Sequence, residues 1–178
     1  MDPDRQLVRL AKSGNKAAFG KLARRYRDAV LALAYDFLND YENAQDVAQD
    51  VFIKAFKNIG DFEEKSHFSS WLFRITVNAS LDARKSKSRR RKFLLKKERD
   101  GENGHQSAEP ELQGGIDDTL LTAINGLSDH QQTAIVLRYF HDKSIREIAD
   151  VFDCSESTVR IHLHRAIQKL DKILKKRK

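Results

Sequence analysis

Cysteine is nearly absent from this chain: Cys154 is the only one among 178 residues. No disulfide can close within it, and no cysteine-based zinc site can be built. Cys154 itself is expected to be a small buried turn residue. Long apolar runs are missing too. No stretch approaches the roughly 20 apolar residues of a membrane span, so no direct membrane contact is expected. The opening MDPDRQLVRLAKSGN lacks the apolar centre of a signal peptide. These absences predict a soluble, cytoplasmic protein. Catalytic signatures are equally scarce. There is no Gly-rich phosphate loop, no nucleophile motif and no metal-ligand cluster. His67, His105 and His130 are scattered through loops and helix starts. No metal and no cofactor are expected, and the chain does not read as an enzyme.

What the chain has in excess is positive charge. Its formal net charge is +7, with 33% charged and 40% hydrophobic residues. That balance calls for an anionic partner, nucleic acid or a membrane surface, and the length suits one domain or two small ones. Helical spacing dominates. Phe19, Leu22, Ala23, Tyr26, Val30, Leu33 and Phe37 recur at i, i+3, i+4, i+7. Ala44, Val47, Ala48, Val51, Phe52, Ala55, Phe56 and Ile59 do the same, and Gly60 is a natural C-cap for that helix. No segment shows sustained strand alternation.

Only two prolines and eight glycines interrupt the sequence, and ERDGENGHQSAEPELQGG alone holds one of the prolines and four of the glycines. It reads as a flexible linker. Charge divides around it. Nineteen basic and 12 acidic residues precede Phe93, 3 and 5 follow up to Gly115, and 11 and 9 lie beyond. The fold class expected is all-α: two small helical domains, residues 1–95 and 116–178, joined by a linker over 96–115.

The second domain carries SIREIADVFDCSESTVRIHLHRA, Ser144 to Ala166. A short helix, a tight turn at Asp153 and Cys154, and a second helix after Ser155 have the spacing of a helix-turn-helix. Ser128 with Gln131 and Ser144 with Glu147 form capping boxes. Asp153 stands where a turn glycine is usual, and Asp tolerates left-handed geometry. Val159 and Leu163 are expected to face the core. Ser155, Ser157, Thr158, Arg160, Ile161, His164 and Arg165 lie outward or at the helix N-terminus, where a recognition helix meets base edges. His162 and His164 point apart and are not expected to share a metal.

The first domain ends in HFSSWLFRITVNASLDARKSKSRRRK, His67 to Lys92, which starts aromatic and finishes with seven basic residues in nine positions. Trp71, Leu72 and Ile75 are assigned to packing. Phe62 and Phe68 bracket the polar loop EEKSH and, with Lys65, Ser66, Arg74 and Asn78, can hold an unstacked base. The basic run, Arg84, Lys85, Arg89, Arg90 and Arg91, can grip phosphates.

The stretch NAQDVAQDVFIKAFKNIGDFEEKSHFSSWLFRITVNASLDARK closely resembles region 2 of bacterial sigma factors of the extracytoplasmic-function group, and INGLSDHQQTAIVLRYFHDKSIREIADVFDCSESTVRIHLHRAIQKL resembles region 4 of the same group. The resemblance implies a promoter-specificity subunit of RNA polymerase. Region 2 would bind the clamp helices of the largest subunit and read and melt the minus-ten element. Region 4 would sit on the flap of the second-largest subunit and read the minus-thirty-five element. Carried over by position, Asp46, Gln49 and Asp50 fall in the polymerase-binding stretch, Phe62 to Phe68 in the base-capturing loop and Asn78 on its supporting helix. Promoter DNA and an anti-sigma factor are the further partners implied. Ser157 and Asp153 replace glycines often found there, so base preference does not transfer. The chain ends soon after the recognition helix, so control by a C-terminal extension domain is not expected. The alternative is a stand-alone helix-turn-helix regulator, which leaves the region 2-like half unexplained.

Overall fold

The computed structural model describes residues 4–100 and 116–175. Among them there is no strand. Four helices form the first unit: α1 (Arg5–Lys12), α2 (Lys16–Leu38), α3 (Tyr41–Asn58) and α4 (Phe68–Asp100). Four more form the second: α5 (Ile116–Asn125), α6 (Asp129–Ile135), α7 (Ile145–Phe152) and α8 (Glu156–Lys175). Residues 101–115 of the expected linker lie outside the described residues. Residues 96–100 continue α4 as helix.

The apolar stripes seen in the sequence become the core of the first unit. Leu22 and Val30 of α2, Val51 of α3 and Leu72 of α4 are fully buried together. Burying such side chains stabilises by about 1.5–3 kcal/mol each. Helix ends are fixed by short polar side chains. Asn15 accepts a hydrogen bond from the Ala18 N–H at 3.0 Å, and Asp40 one from the Asn43 N–H at 3.2 Å. Each satisfies a donor that has no partner inside its helix. Asp40 also takes the Lys87 ammonium at 2.8 Å, and that bond, with the cap, holds its carboxyl down to about 2. On the inner face of α4, the hydroxyls of Thr76 and Ser80 are buried and donate to the carbonyls of Leu72 and Thr76, one turn back.

Gly60 does not cap α3 in the way expected. The helix tightens at Ile59–Asp61 into a 3-10 turn, and Gly60 has no left-handed φ. The left-handed residue comes later, at Glu64 with φ 55°. Its carboxylate is held by Arg5 at 3.5 Å and Arg9 at 3.7 Å, both from α1.

The second unit follows its caps. Ser144 and Glu147 bond each other reciprocally at the start of α7. Asp153 ends α7 in the left-handed conformation, φ 55°. Ile148, Ala149, Val159, Leu163 and Ala166 pack as the helix-turn-helix core. After α6 the chain widens into a π turn at Val136–Phe140. This second core does not stop at the unit boundary: Leu33 and Phe37 of α2 and Phe73 and Val77 of α4 are buried in it.

Candidate nucleic-acid interface

Three surfaces carry the residues that the sequence picks out. The first is the outer side of α3. Asp46, Gln49 and Asp50 are exposed there, opposite buried Val47, Ala48 and Val51. Sequence reasoning missed what adjoins them. Between α2 and α3 lies an apolar groove of about 460 Å³, lined by Phe52, Ile53, Phe56 and Ala23 and rimmed by Arg24 and Lys57. Ile53 and Phe56 are 45% and 43% exposed, too much for core residues of a two-sided helix. The signal was present: the stripe 44–59 holds more apolar positions than one face of α3 can bury.

The second surface is the loop between α3 and α4 and the helix it feeds. Here the structure corrects two assignments. Phe62 and Phe68 are 4% and 2% exposed. Their rings lie 6.0 Å apart, and both contact Trp71, at 5.2 and 5.7 Å. Edge-on and tilted aromatic contacts of this kind belong to packing, so these rings form the floor of the loop and offer no open face for stacking. Lys12 fixes the loop from below by donating to the Phe62 carbonyl at 2.6 Å. Lys65 stays exposed and is paired with Glu63, while Ser66 is partly exposed. A cavity of about 300 Å³ opens beside Lys65, Ser66 and His67.

On α4, Asn78 is exposed beside a cavity of about 320 Å³. Arg74, grouped from the sequence with the base-holding residues, turns instead to the end of α7. Its guanidinium donates to the carbonyl of Val151 at 3.0 Å and to that of Asp150, and lies 3.5 Å from the Asp153 carboxylate. Arg84 and Lys85 are likewise engaged. Arg84 reaches Asp129 at 2.7 Å and the side chain of Gln132, and Lys85 reaches Asp129 at 2.9 Å. Lys85, ahead of Arg84, keeps the Asp129 carboxyl below its ordinary range, against the opposing effect of burial. Arg89, Arg90 and Arg91 are exposed, with no ion-pair partner among the described residues.

The third surface is α8, whose N-terminal and outer residues face solvent. Ser155 caps the helix through the Thr158 N–H at 3.3 Å, and its hydroxyl lies 2.7 Å from that of Ser157 and 2.9 Å from that of Thr158. Arg160, Ile161, His164 and Arg165 are exposed. Arg160 is steadied by Glu156 at 3.0 Å, and His164 contacts Gln168 at 2.9 Å. His162 turns the other way and stacks on His130 at 5.3 Å, beside Phe152. Burial, then the neighbouring His130 and Arg165, pushes its pKa down. Cys154, partly buried, bonds within the turn: its backbone N–H donates to the Ala149 carbonyl at 3.1 Å.

A helical unit with a polar outer face beside an apolar groove, a loop over an aromatic floor and a basic helix, followed by a helix-turn-helix, defines a class. Residues 22–90 match the family model of sigma-70 region 2, and residues 117–170 that of sigma-70 region 4. Among characterised proteins, the RNA polymerase sigma-H factor of Pseudomonas aeruginosa is 35% identical over 97% of this chain and 94% of its own. The ECF RNA polymerase sigma-E factor of Haemophilus influenzae is 30% identical over 94% and 93%. Among solved structures, the sigma factor RpoE in complex with the anti-sigma factor NepR from Bartonella quintana superposes with a TM-score of 0.61 at 26% identity, covering 88% of this chain and 96% of that one. The chain belongs to the sigma-70 family. Within it, the chain is a sigma factor of the extracytoplasmic-function group, a promoter-specificity subunit of RNA polymerase. The reading as a stand-alone helix-turn-helix regulator is not favoured.

Proposed function

We propose that the first unit docks on the largest polymerase subunit through α3, with Asp46, Gln49 and Asp50 meeting basic groups and the groove at Ile53 and Phe56 taking an apolar ridge of the partner. Region 4 would rest on the second-largest subunit and present α8 to the minus-thirty-five element. In the major groove Arg160 and Arg165 can donate paired hydrogen bonds to guanine, and Ser155, Ser157 and Thr158 can bond phosphate or base. At the minus-ten element, Lys65 and Ser66 would line the space for a flipped base, Phe62 and Phe68 would form its floor, and Asn78 would act further along α4. Arg84, Lys85, Arg89, Arg90 and Arg91 would follow the phosphates without reading sequence. The protein would work in the cytoplasm without a catalytic centre of its own, since the polymerase performs the chemistry. An anti-sigma factor, the kind of partner with which RpoE of Bartonella quintana was solved, would restrain it.

The observation that carries this reading is α4. It starts beneath the loop, passes Asn78 and then carries three exposed arginines before running on to Asp100, so base capture and backbone grip would lie on one rigid element. Unstacking a base costs a few kcal/mol, which captured bases and polymerase contacts can offset without ATP. The test is Asn78→Ala in reconstituted holoenzyme, with permanganate footprinting on matched promoters and on templates already mismatched at the downstream element. A defect on the matched template, rescued on the mismatched one, is expected. Equal defects on both would remove Asn78 from strand opening.

A further inference from the structure

Helix α1 is fastened along its whole length. The Asp4 carboxylate just before it is buried and accepts from Arg25 and Tyr26 of α2. Val8 and Ala11 sit in the first core. Beyond Lys12 the chain turns into α2 through Gly14, whose φ of 92° suits glycine. A helix held in this way has little freedom to slide or roll. Its basic residues Arg5, Arg9 and Lys12 fall at i, i+4 and i+7, along one side, and all three reach the loop between α3 and α4. Lys12 donates to the Phe62 carbonyl at 2.6 Å, while Arg5 and Arg9 stand 3.5 and 3.7 Å from one oxygen of Glu64.

The loop needs that help. Its stretch EEKSH contains neither glycine nor asparagine, yet Glu64 adopts φ 55°, a region that side chains other than Asn and Asp seldom enter. Such a backbone persists only where its surroundings hold it. The same contacts solve a problem of charge, because two adjacent carboxylates stand where a polyanion is proposed to arrive. Glu63 is paired with Lys65 inside the loop, and Glu64 with α1. One exposed ion pair contributes little, and Arg5 and Arg9 are 62% and 61% exposed. Here two guanidinium groups converge on one partly buried carboxylate, and a loop with several shapes of similar energy needs only a modest bias to populate one.

We infer that Arg5 and Arg9 are positioning residues for base recognition: acting through Glu64, and with Lys12 on the Phe62 carbonyl, they brace the loop in the shape that turns Lys65 and Ser66 toward the downstream single strand. The inference rests on the base-holding role proposed above for Lys65 and Ser66. Arg5 also borders the cavity beside them, so direct contact with DNA is the rival role.

The test has two arms. In the first, a nitroxide is placed at Ser66→Cys of the full chain, with Cys154→Ser removing the only natural thiol. Arg5→Ala with Arg9→Ala should shorten the label's rotational correlation time at least about twofold, as a loop released on the nanosecond scale does. In the second arm, holoenzyme reconstituted with the otherwise unaltered chain binds duplexes carrying a random six-nucleotide bubble, and the bound fraction is sequenced. One base at one position should be enriched at least about tenfold, and the alanine pair should cut that enrichment at least about fivefold. A phosphate contact would instead lower total binding and leave enrichment intact. Glu64→Asn keeps the left-handed turn without the charge and should by itself reproduce the loss. In that background the alanine pair should cost less than about twofold more, since coupled residues do not add. Arg5→Lys with Arg9→Lys should recover most of the enrichment. Lys16→Ala with Lys21→Ala makes the same charge change at exposed positions of α2 and should alter neither readout. Circular dichroism checks each fold, and Glu64→Asn carries the test if the alanine pair unfolds. Unchanged label motion, enrichment that survives the alanine pair, or a loss undiminished in the Glu64→Asn background overturns the inference alone. If the unaltered chain enriches no base, the base-holding role fails and the inference falls with it.

Discussion

Replacing Phe62 by alanine separates a core residue from a base trap. The ring is 4% exposed and contacts Phe68 and Trp71. Deleting a buried phenylalanine costs about 3–5 kcal/mol. Its edge borders a cavity of about 300 Å³, so the neighbouring loop has room to collapse inward, and the lower end, about 3 kcal/mol, is expected. Urea unfolding followed by Trp71 fluorescence reports the site directly, since the two rings touch. With a slope of about 1–3 kcal/mol per molar urea, the midpoint should fall by roughly 1–3 M. Phe62→Leu fills most of the space and should cost less than about 1.5 kcal/mol. It should also preserve promoter opening, because a floor needs volume and not an aromatic face. A loss under about 1 kcal/mol for Phe62→Ala, small for a buried ring, with opening abolished in both variants would refute the packing argument and return Phe62 to the stacking role.

Reversing charge at Asp46 and Asp50 together should weaken binding to core polymerase without lowering thermal stability, since both are exposed; a pull-down at matched concentrations measures it. Arg160→Ala should cost about 1–3 kcal/mol at one base pair of the upstream element if it reads a base, and transcription from a panel of element variants would show whether the loss is confined to one position. Near neutrality, His162 gives a pH dependence of defined sign. Its folded pKa lies below the ordinary 6.5, so the unfolded chain binds the proton more readily. Its contribution is fully present above about 6.5 and declines as pH falls below it. His162→Gln should flatten that part of the stability profile in calorimetry, and an unchanged slope would assign the dependence to other groups.

Much of this architecture was legible because it is local. The stripes in α2 and α3, the Ser144 and Glu147 box and the Asp153 turn each depend on neighbours a few residues away. The exposed face of α8 followed from the same period. What escaped depends on distance or on context. The contacts that engage Arg84 and that join His141 to Asp36 span 45 to 105 residues, and no periodicity encodes them. Phe62 and Phe68 have the right chemistry for either a floor or a stacking face, and only burial decides between them. The left-handed residue of the loop is Glu64, a residue without a turn signature, held by two arginines from α1. The π turn at Val136–Phe140 sits in a run that is apolar from Ala134 to Phe140 but for Arg138, where helical phase is hard to read.

Helix α4 is also a ruler. Its 33 residues span about 50 Å at 1.5 Å per residue, with no break between the loop and the three arginines. The positions proposed to meet DNA are therefore fixed in both distance and azimuth. One residue inserted between Ser86 and Lys87, both exposed, would advance the arginines by only about 1.5 Å yet swing them by about 100° around the axis. Seven residues would carry them roughly 10 Å further and return them nearly to their original side. A single insertion should thus damage promoter binding more than seven do, an order that a flexible basic tail would reverse.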